Sequence, residues 1–170
     1  MWKSGALLLF TLACSGDSFS PRALELRTDA SEYLALPGPR VGDIRTYELT
    51  IVARFTNRTT RTVFVERCFA ETEYPIYFVE LVTGSEDAAY NPNWSCPPGA
   101  SFVVEPDETL EVVVPLIAPH VFDQGQAIGV FAGQFRLGFN WWSCPDEGEQ
   151  CPEGASGVTR SNEFTITVPD

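Results

Sequence analysis

The sequence is poor in the residues on which most catalytic and transition-metal sites depend. It contains one His and one Met among 170 residues, and its five Cys form no closely spaced cluster. Imidazole and thiolate groups are the usual ligands of zinc, and imidazole is the commonest general acid or base in enzymes. The sequence therefore predicts no metal, no cofactor and no enzyme activity.

Positive charge is also scarce. The chain has 11 Lys and Arg residues against 23 Asp and Glu residues, which gives a formal net charge of −12. This balance opposes binding to a phosphate backbone or to anionic lipid headgroups. We therefore expect no nucleic-acid partner, and we expect that any membrane attachment does not use a basic patch.

Apolar residues, by contrast, are abundant enough for a folded domain. Hydrophobic residues make up 44% of the chain and aromatic residues 12%. A chain of this length fits one domain of roughly 100 to 200 residues. A domain of this size buries about 70% of the surface that its unfolded chain exposes. The composition therefore predicts a single domain with a real core.

The first residues have the pattern of an export signal. Lys3, the only lysine, precedes an apolar run over residues 5–13. That run is shorter than the ~20 residues that a permanent bilayer-spanning helix needs. It ends at Ala13, and after Cys14 the sequence becomes small and polar. This arrangement resembles a bacterial lipoprotein signal, in which the Cys after the small residue receives diacylglycerol and becomes the mature N-terminus.

The resemblance implies lipidation of Cys14. The chain then divides into a signal peptide, a lipidated Cys with its tether, and a folded domain, at residues 1–13, 14–21 and 22–170. Two acyl chains suffice for stable anchoring without a basic patch. By the same resemblance, Ser15 in place of Asp favours the outer membrane, so we expect a lipid-anchored protein of the bacterial cell envelope. Ordinary secretion stays open because residues 11–13 also fit a small-x-small cleavage rule, and so does an uncleaved anchor.

The cysteine count agrees with export. Lipidation of Cys14 accounts for the odd one of five cysteines and leaves Cys68, Cys96, Cys144 and Cys151, in a compartment where disulfides persist. Four cysteines allow three connectivities. The polar segment between Cys144 and Cys151 is short enough to make that pair local, so we predict the disulfides Cys144–Cys151 and Cys68–Cys96. A zinc site is the alternative, but it requires closer Cys-x₂₋₄-Cys pairs.

Most of the mature chain alternates apolar and polar residues, as half-buried strands do. The apolar positions of these runs are Leu24, Leu26, Tyr47, Leu49, Ile51, Ala53, Phe55, Tyr77, Val79, Leu81, Leu110, Val112, Val114, Leu116, Phe131, Phe135, Leu137, Phe139, Phe164, Ile166 and Val168. The 13 Gly and 13 Pro disfavour any helix longer than one turn near residues 119–124. The pattern predicts an all-β fold, an antiparallel immunoglobulin-like β-sandwich of about seven to nine strands, with a closed barrel as the alternative.

Four segments carry a further resemblance. They are a strand that ends at residues 55–57, residues 75–80 before a glycine turn, residues 105–110 at the entry to a strand, and residues 133–137. Together they resemble the immunoglobulin-like domains of bacterial envelope lipoproteins and, more weakly, the BsuPI-like family of intracellular proteinase inhibitors. The resemblance implies a β-sandwich and, through the second family, inhibition of a protease. The export signal and the four other cysteines depart from an intracellular inhibitor.

Three tryptophans are candidate ligand contacts. Trp141 and Trp142 end a strand pattern, and Trp94 precedes Cys96. Exposed aromatic faces stack on sugar rings or anchor a partner peptide with little loss of entropy. Adjacent strand residues point to opposite faces, however. The competing interpretation is therefore that one Trp of the pair belongs to the core and the other covers a disulfide.

Other polar residues receive structural interpretations. The acidic residues at 146–149 lack the ordered spacing of a calcium-binding loop. His120 lies in no nucleophile motif that would make it part of a catalytic triad. Two glycosylation sequons, at Asn57 and Asn93, are treated as chance in a bacterial protein.

These observations predict a non-catalytic binding or structural module, anchored to a membrane through lipid, with an envelope protein or a glycan as its partner. The alternative is a protease inhibitor that presents a rigid, protruding loop. The segment between Cys144 and Cys151 is the candidate for that loop, because a disulfide would brace it.

Overall fold

The computed structural model describes residues 23–83, 87–92, 94–97, 99–119, 129–143 and 155–169. These residues form eleven strands: β1 (Leu24–Thr28), β2 (Glu32–Leu34), β3 (Leu36–Val41), β4 (Ile44–Asn57), β5 (Val63–Glu66), β6 (Tyr77–Leu81), β7 (Ser101–Val104), β8 (Thr109–Ala118), β9 (Gly133–Trp142), β10 (Ser156–Arg160) and β11 (Phe164–Thr167). Within these ranges no helix is long and apolar enough to span a membrane.

The first sheet is built on β4, the longest strand. β8 pairs antiparallel with one side of β4, from Tyr47 opposite Ala118 to Thr56 opposite Thr109. On the other side of β4, β1 pairs with its C-terminal end and β3 with its N-terminal end, both antiparallel. The apolar residues predicted to alternate along β4 line its inner face, and four of the five are buried.

The second sheet is built on β9 in the same way. β6 and β5 pair with one side of β9, and β11 and β10 pair with the other, all antiparallel. β7 extends the sheet beyond β5, and β2 extends it beyond β11 as its one parallel neighbour.

The inner faces of the two sheets enclose one hydrophobic core. Its largest fully buried side chains come from both sheets, including Phe55 and Leu116 from the first and Phe135, Phe139 and Phe164 from the second. Two mainly antiparallel sheets packed face to face confirm the immunoglobulin-like β-sandwich.

The eleven strands exceed the predicted seven to nine, in part because the chain changes sheets at Ala35. β2 belongs to the second sheet and β3 to the first, and the fully buried Ala35 lies between them. The side chains of Leu34 and Leu36 are 57% and 59% exposed, so the apolar pattern of this segment does not mark a core-facing strand.

Three positions depart from the alternation predicted for their strands, and one of them is Val168, which follows the end of β11. Phe131 precedes β9 instead of belonging to it, and its ring makes an edge contact with Tyr47 at a centroid distance of 5.5 Å. Thr46 lies on the polar side of β4 yet is buried, because the irregular pairing of β3 brings the chain over it. Its hydroxyl donates to the carbonyl of Pro39 at 2.6 Å, which satisfies the buried oxygen.

The disulfide Cys68–Cys96 is present, as predicted, and it joins a strand end to a loop. Cys68 follows the end of β5, and Cys96 belongs to the segment that runs beside β6. In that segment, the side-chain amide of Asn91 bonds both the N–H and the C=O of Val79, at 2.5 and 2.9 Å. Side chains of the segment therefore satisfy backbone groups along the outer edge of β6, and the disulfide holds the segment in place.

Several predictions fall outside the described residues. They concern the signal peptide, Cys14 and the tether, the helical turn with His120, and the acidic loop with the Cys144–Cys151 disulfide.

Candidate functional site

An apolar row crosses the outer face of the second sheet, on the side away from the core. Phe64 of β5 is paired with Val103 of β7 on one side and with Trp142 of β9 on the other. The rings of Phe64 and Trp142 are stacked, with a centroid distance of 5.8 Å and an interplanar angle of 19°. Val103 is 52% exposed. The row therefore presents apolar surface to solvent from three strands that the core holds rigidly.

This row borders a groove at the end of the sheet where β5 begins and β7 ends. We call it the aromatic groove. It has a volume of about 720 Å³ and is lined by Thr60, Arg61, Thr62, Phe64, Val103, Glu105 and Ser143. Its volume lies within the range of small-molecule sites, about 300 to 1,000 Å³.

Asn57, at the end of β4, shapes the turn that forms one wall of the aromatic groove. Its amide nitrogen donates to the carbonyls of Arg61 and Val104, at 2.8 and 2.9 Å. Its amide oxygen accepts from the N–H and the hydroxyl of Thr59, at 2.9 and 2.6 Å. Asn57 is fully buried. A side chain with such contacts fixes the turn, and with it the positions of Thr60 and Arg61.

The other polar wall comes from β7 and the end of β9. The hydroxyl of Thr62 donates to the Glu105 carboxylate at 2.6 Å, which ties the turn to the residue after β7. Arg61 and Glu105 place one positive and one negative side chain at the groove. The aromatic groove thus combines an apolar side with hydroxyl, guanidinium and carboxylate groups.

Ser143 is the unusual member of this set. It follows β9 directly and is 3% exposed, and its backbone N–H donates to the carbonyl of Ala155 at 2.7 Å. Its hydroxyl is buried, and the described residues provide no hydrogen-bond partner for it. An unsatisfied buried polar group costs about 1 to 3 kcal/mol. Ser143 is also one of the residues that line the groove.

The three predicted tryptophans do not form one surface. Trp141 is 3% exposed and packs in the core, beside Gly157, whose lack of a side chain leaves room for the indole. Trp94 is partly buried against the core, and its indole N–H donates to the carbonyl of Tyr77 at 2.8 Å. Trp142 alone lies on the outer face, where it stacks on Phe64. The alternation expected for adjacent strand residues therefore separates Trp141 from Trp142.

A second groove lies at the first sheet, where the chain crosses between sheets. Its volume is about 510 Å³, and its lining includes Leu34, Leu36, Pro115 and Ile117. No polar atom among its described lining residues is buried without a partner. It therefore offers an apolar surface, but its described lining residues offer no unsatisfied polar group to which a ligand could bond.

Comparisons with known proteins find similarity among solved structures. No protein-family model and no curated protein sequence matches the chain. Among solved structures, the chain is similar to the ASH / PapD-like domain of human CEP192 (PapD-like domain 7), at 13% sequence identity and a TM-score of 0.34. The alignment covers 100% of this chain and 98% of that one. The strand pairings above, and not this likeness, define the sandwich and its site.

Sequence reasoning reached Trp142 but missed the residues around it. Phe64, Val103 and Ser143 come from three separate strand regions, and only the pairing of β5 with both β7 and β9 brings them together. Asn57 carries a local signal that could have been used, because an Asn with Thr two residues later after a strand is typical of an Asx turn. No group of three His, Cys, Asp or Glu residues that could hold a metal occurs in the described ranges.

Proposed function

We propose that this chain is a lipid-anchored protein of the bacterial cell envelope that acts as a non-catalytic binding module, with the aromatic groove as its binding site. The observation that carries the proposal is the Phe64 and Trp142 stack on the outer face of a sheet whose inner face already forms the core. Aromatic side chains held by neighbouring strands bind partners at low entropic cost.

The envelope part of the proposal depends on the cysteines and the first residues. The Cys68–Cys96 disulfide supports an oxidising compartment. The resemblance of residues 1–14 to a lipoprotein signal supports acylation of Cys14, and Ser15 supports transfer to the outer membrane.

The anchor is tested by expressing the full chain in a Gram-negative bacterium and analysing the mature N-terminus by mass spectrometry. We expect a diacylated Cys14 and recovery in the outer-membrane fraction. Cys14→Ser should release soluble protein, with thermal unfolding of the domain nearly unchanged. Ser15→Asp is the matched control, because it should stay lipidated but remain in the inner membrane. An unmodified N-terminus that begins elsewhere than Cys14 would contradict the anchor.

The binding site is tested separately by co-sedimentation of soluble Cys14→Ser protein with isolated cell envelopes. Phe64→Ala in this background should reduce the bound fraction about ten-fold, as expected when a central aromatic contact is lost. Leu36→Ala, which removes an exposed apolar side chain at the second groove, should bind like the parent. Equal retention of all variants would refute the aromatic groove as the site.

Protease inhibition is the second candidate, and one observation favours it. β9 and β10 pair antiparallel up to Trp142 opposite Ser156, so this strand pair ends next to Ser143, which lines the aromatic groove. A panel of envelope proteases assayed with the wild-type chain, and with residues 145–150 replaced by a short glycine linker, separates this function from simple binding.

A further inference from the structure

The chemistry of the aromatic groove narrows the kind of ligand that fits it. Phe64 and Val103 provide an apolar side, while Thr60, Thr62 and Ser143 provide hydroxyl groups. A sugar ring has the matching construction, because its C–H face is apolar and its edge carries hydroxyls. Aromatic faces accept the C–H side, and hydroxyl or carboxylate oxygens pair with the edge.

Charge argues against a strongly anionic ligand. The formal net charge of the chain is −12, and the groove itself carries the Glu105 carboxylate together with the Arg61 guanidinium, so its lining side chains give no excess of positive charge. A phosphate-rich or acidic partner would therefore meet the repulsion of the chain's net negative charge. A neutral ligand pays no such cost, and its hydroxyls can donate to Glu105.

The buried hydroxyl of Ser143 supplies the second, independent indication. It is held at the end of β9 by the rigid sheet and has no partner among the described residues. A hydroxylated ligand can act as donor or acceptor toward it, because a serine hydroxyl has both capacities. A purely apolar peptide side chain would leave this hydroxyl without a hydrogen-bond partner.

We propose that the aromatic groove binds a neutral saccharide, with one ring face against Phe64 and a ring hydroxyl bonded to Oγ of Ser143. The inference rests on the proposed function and deepens it, since it names the ligand class of the same site. The stacked Trp142 backs the Phe64 ring and fixes its orientation. Because adjacent strands hold these two rings in place, sugar binding should cost little side-chain conformational entropy.

The test uses the full chain with Cys14→Ser and follows binding by two-dimensional NMR and calorimetry. The probes are tri-N-acetylchitotriose, cellotriose and maltotriose, which are neutral oligosaccharides with and without acetamido groups. We expect at least one of them to bind and to shift the Trp142 indole N–H resonance. Phe64→Ala should weaken binding about ten-fold or more, and Ser143→Ala about five-fold, the latter being typical of one lost hydrogen bond. Leu36→Ala should leave binding unchanged.

Each result decides the proposal. Absence of binding by all three probes, or binding that survives both Phe64→Ala and Ser143→Ala, overturns the saccharide assignment. If Phe64→Ala does not fold, Ser143→Ala and Val103→Ala still test the groove, because both only shorten side chains. Binding of envelopes that depends on Phe64 but is not competed by the sugars would keep the binding module and refute its saccharide ligand.

Discussion

The ring of Phe78 on β6 lies directly over the backbone of Gly138 on β9. The two residues are cross-strand partners, and a Cβ atom built at Gly138 would overlap with Cζ of Phe78. Arg160, the partner of Gly138 on the other side, holds its guanidinium 5.8 Å from the centroid of the same ring. An aromatic side chain that covers a strand glycine compensates for the missing side chain and fixes strand register.

We expect Gly138→Ala to destabilise the protein by about 1 to 3 kcal/mol, the usual cost of overpacking. The added methyl and the Phe78 ring cannot occupy the same space, so the ring must leave its place over β9. Alanine is otherwise at least as good as glycine within a strand. Urea unfolding monitored by circular dichroism gives the free energy of unfolding directly.

A double-mutant cycle shows whether the steric conflict is the cause. Phe78→Ala alone removes the ring that covers Gly138. In that background, the methyl group added by Gly138→Ala no longer conflicts with an aromatic ring. We therefore expect the second substitution to be neutral or slightly stabilising there. A Gly138→Ala penalty of the same size with and without Phe78 would contradict this interpretation and point to the backbone instead.

The sandwich could be predicted because its long strands bury one face. β4, β8 and β9 alternate over ten or more residues, and a period of two over that length specifies strand and facing together. The crossover at Ala35 could not be predicted. Leu34 and Leu36 are exposed on either side of one buried alanine, and only the packing of two sheets determines that the chain changes sheets there.

The candidate site was less accessible to sequence reasoning. The sequence predicts Trp142 as a possible contact because exposed aromatic faces stack on sugar rings or anchor a partner peptide. Its partner Phe64 lies in a distant part of the sequence, and cross-strand register, which depends on tertiary structure, brings the two rings together. The hydroxyl of Ser143 lacks a hydrogen-bond partner among the described residues because it is buried, and the sequence does not show which serines are buried.

Replacing both Cys68 and Cys96 by serine should lower the free energy of unfolding by about 3 to 4 kcal/mol. This is the chain-entropy estimate for the 28-residue separation of the two cysteines. Loss of the bridge should also free the segment that covers β6. Hydrogen exchange at the N–H of Val79, which donates to Asn91, should therefore accelerate more than exchange in β4.

Asn91→Ala is the matched control for the disulfide variant. It removes the two side-chain bonds to Val79 but keeps the bridge. We expect faster exchange at Val79 with a smaller loss of stability, about 1 to 2 kcal/mol, as when a buried hydrogen-bond partner is removed. Unchanged exchange at Val79 in both variants would mean that the segment does not protect the edge of β6.

Tyr77 connects the two sheets, and its replacement by Phe should cost about 1 kcal/mol. Its hydroxyl donates to the carbonyl of Pro115 at 2.8 Å, and burial raises the pKa of Tyr77 above its ordinary value of 10.0. The folded state thus keeps a proton that the unfolded state releases above pH 10, so stability falls as the pH rises beyond 10.

In Tyr77→Phe the free energy of unfolding should fall less steeply as the pH rises beyond 10, because one of the groups that cause the fall is absent. It should not vanish, since burial also raises the pKa of Tyr33 to about 12 and that of Tyr90 above its ordinary value. Urea unfolding at pH 8 to about 11 measures how steeply the free energy of unfolding depends on pH in each of the two proteins. Identical slopes in the two proteins would show that Tyr77 ionises alike when folded and unfolded.

Arg160 and Glu80 form an ion pair beside the Phe78 ring, and its contribution should depend on acid pH. The guanidinium bonds both carboxylate oxygens of Glu80, at 2.6 and 2.7 Å, and these bonds hold the pKa of Glu80 below its ordinary value of 4.5. A depressed pKa gives stability that is present above pH 4.5 and is lost as the pH falls through the folded-state pKa. Both side chains are at least 40% exposed, so solvent screening limits the pair to about 0.3 to 1 kcal/mol.

Comparison of Arg160→Gln with wild type across this pH range separates the two roles of the arginine. At neutral pH the variant should be less stable by the ion pair plus its contact with Phe78, and the difference should shrink in acid as Glu80 becomes protonated. Glu80→Gln, which keeps Arg160 over the Phe78 ring, should lose only the part of the stabilisation that depends on acid pH. If the difference for Arg160→Gln stays constant from neutral pH down to well below pH 4.5, the stabilisation comes from the guanidinium packing on Phe78, because that contact does not depend on the charge of Glu80.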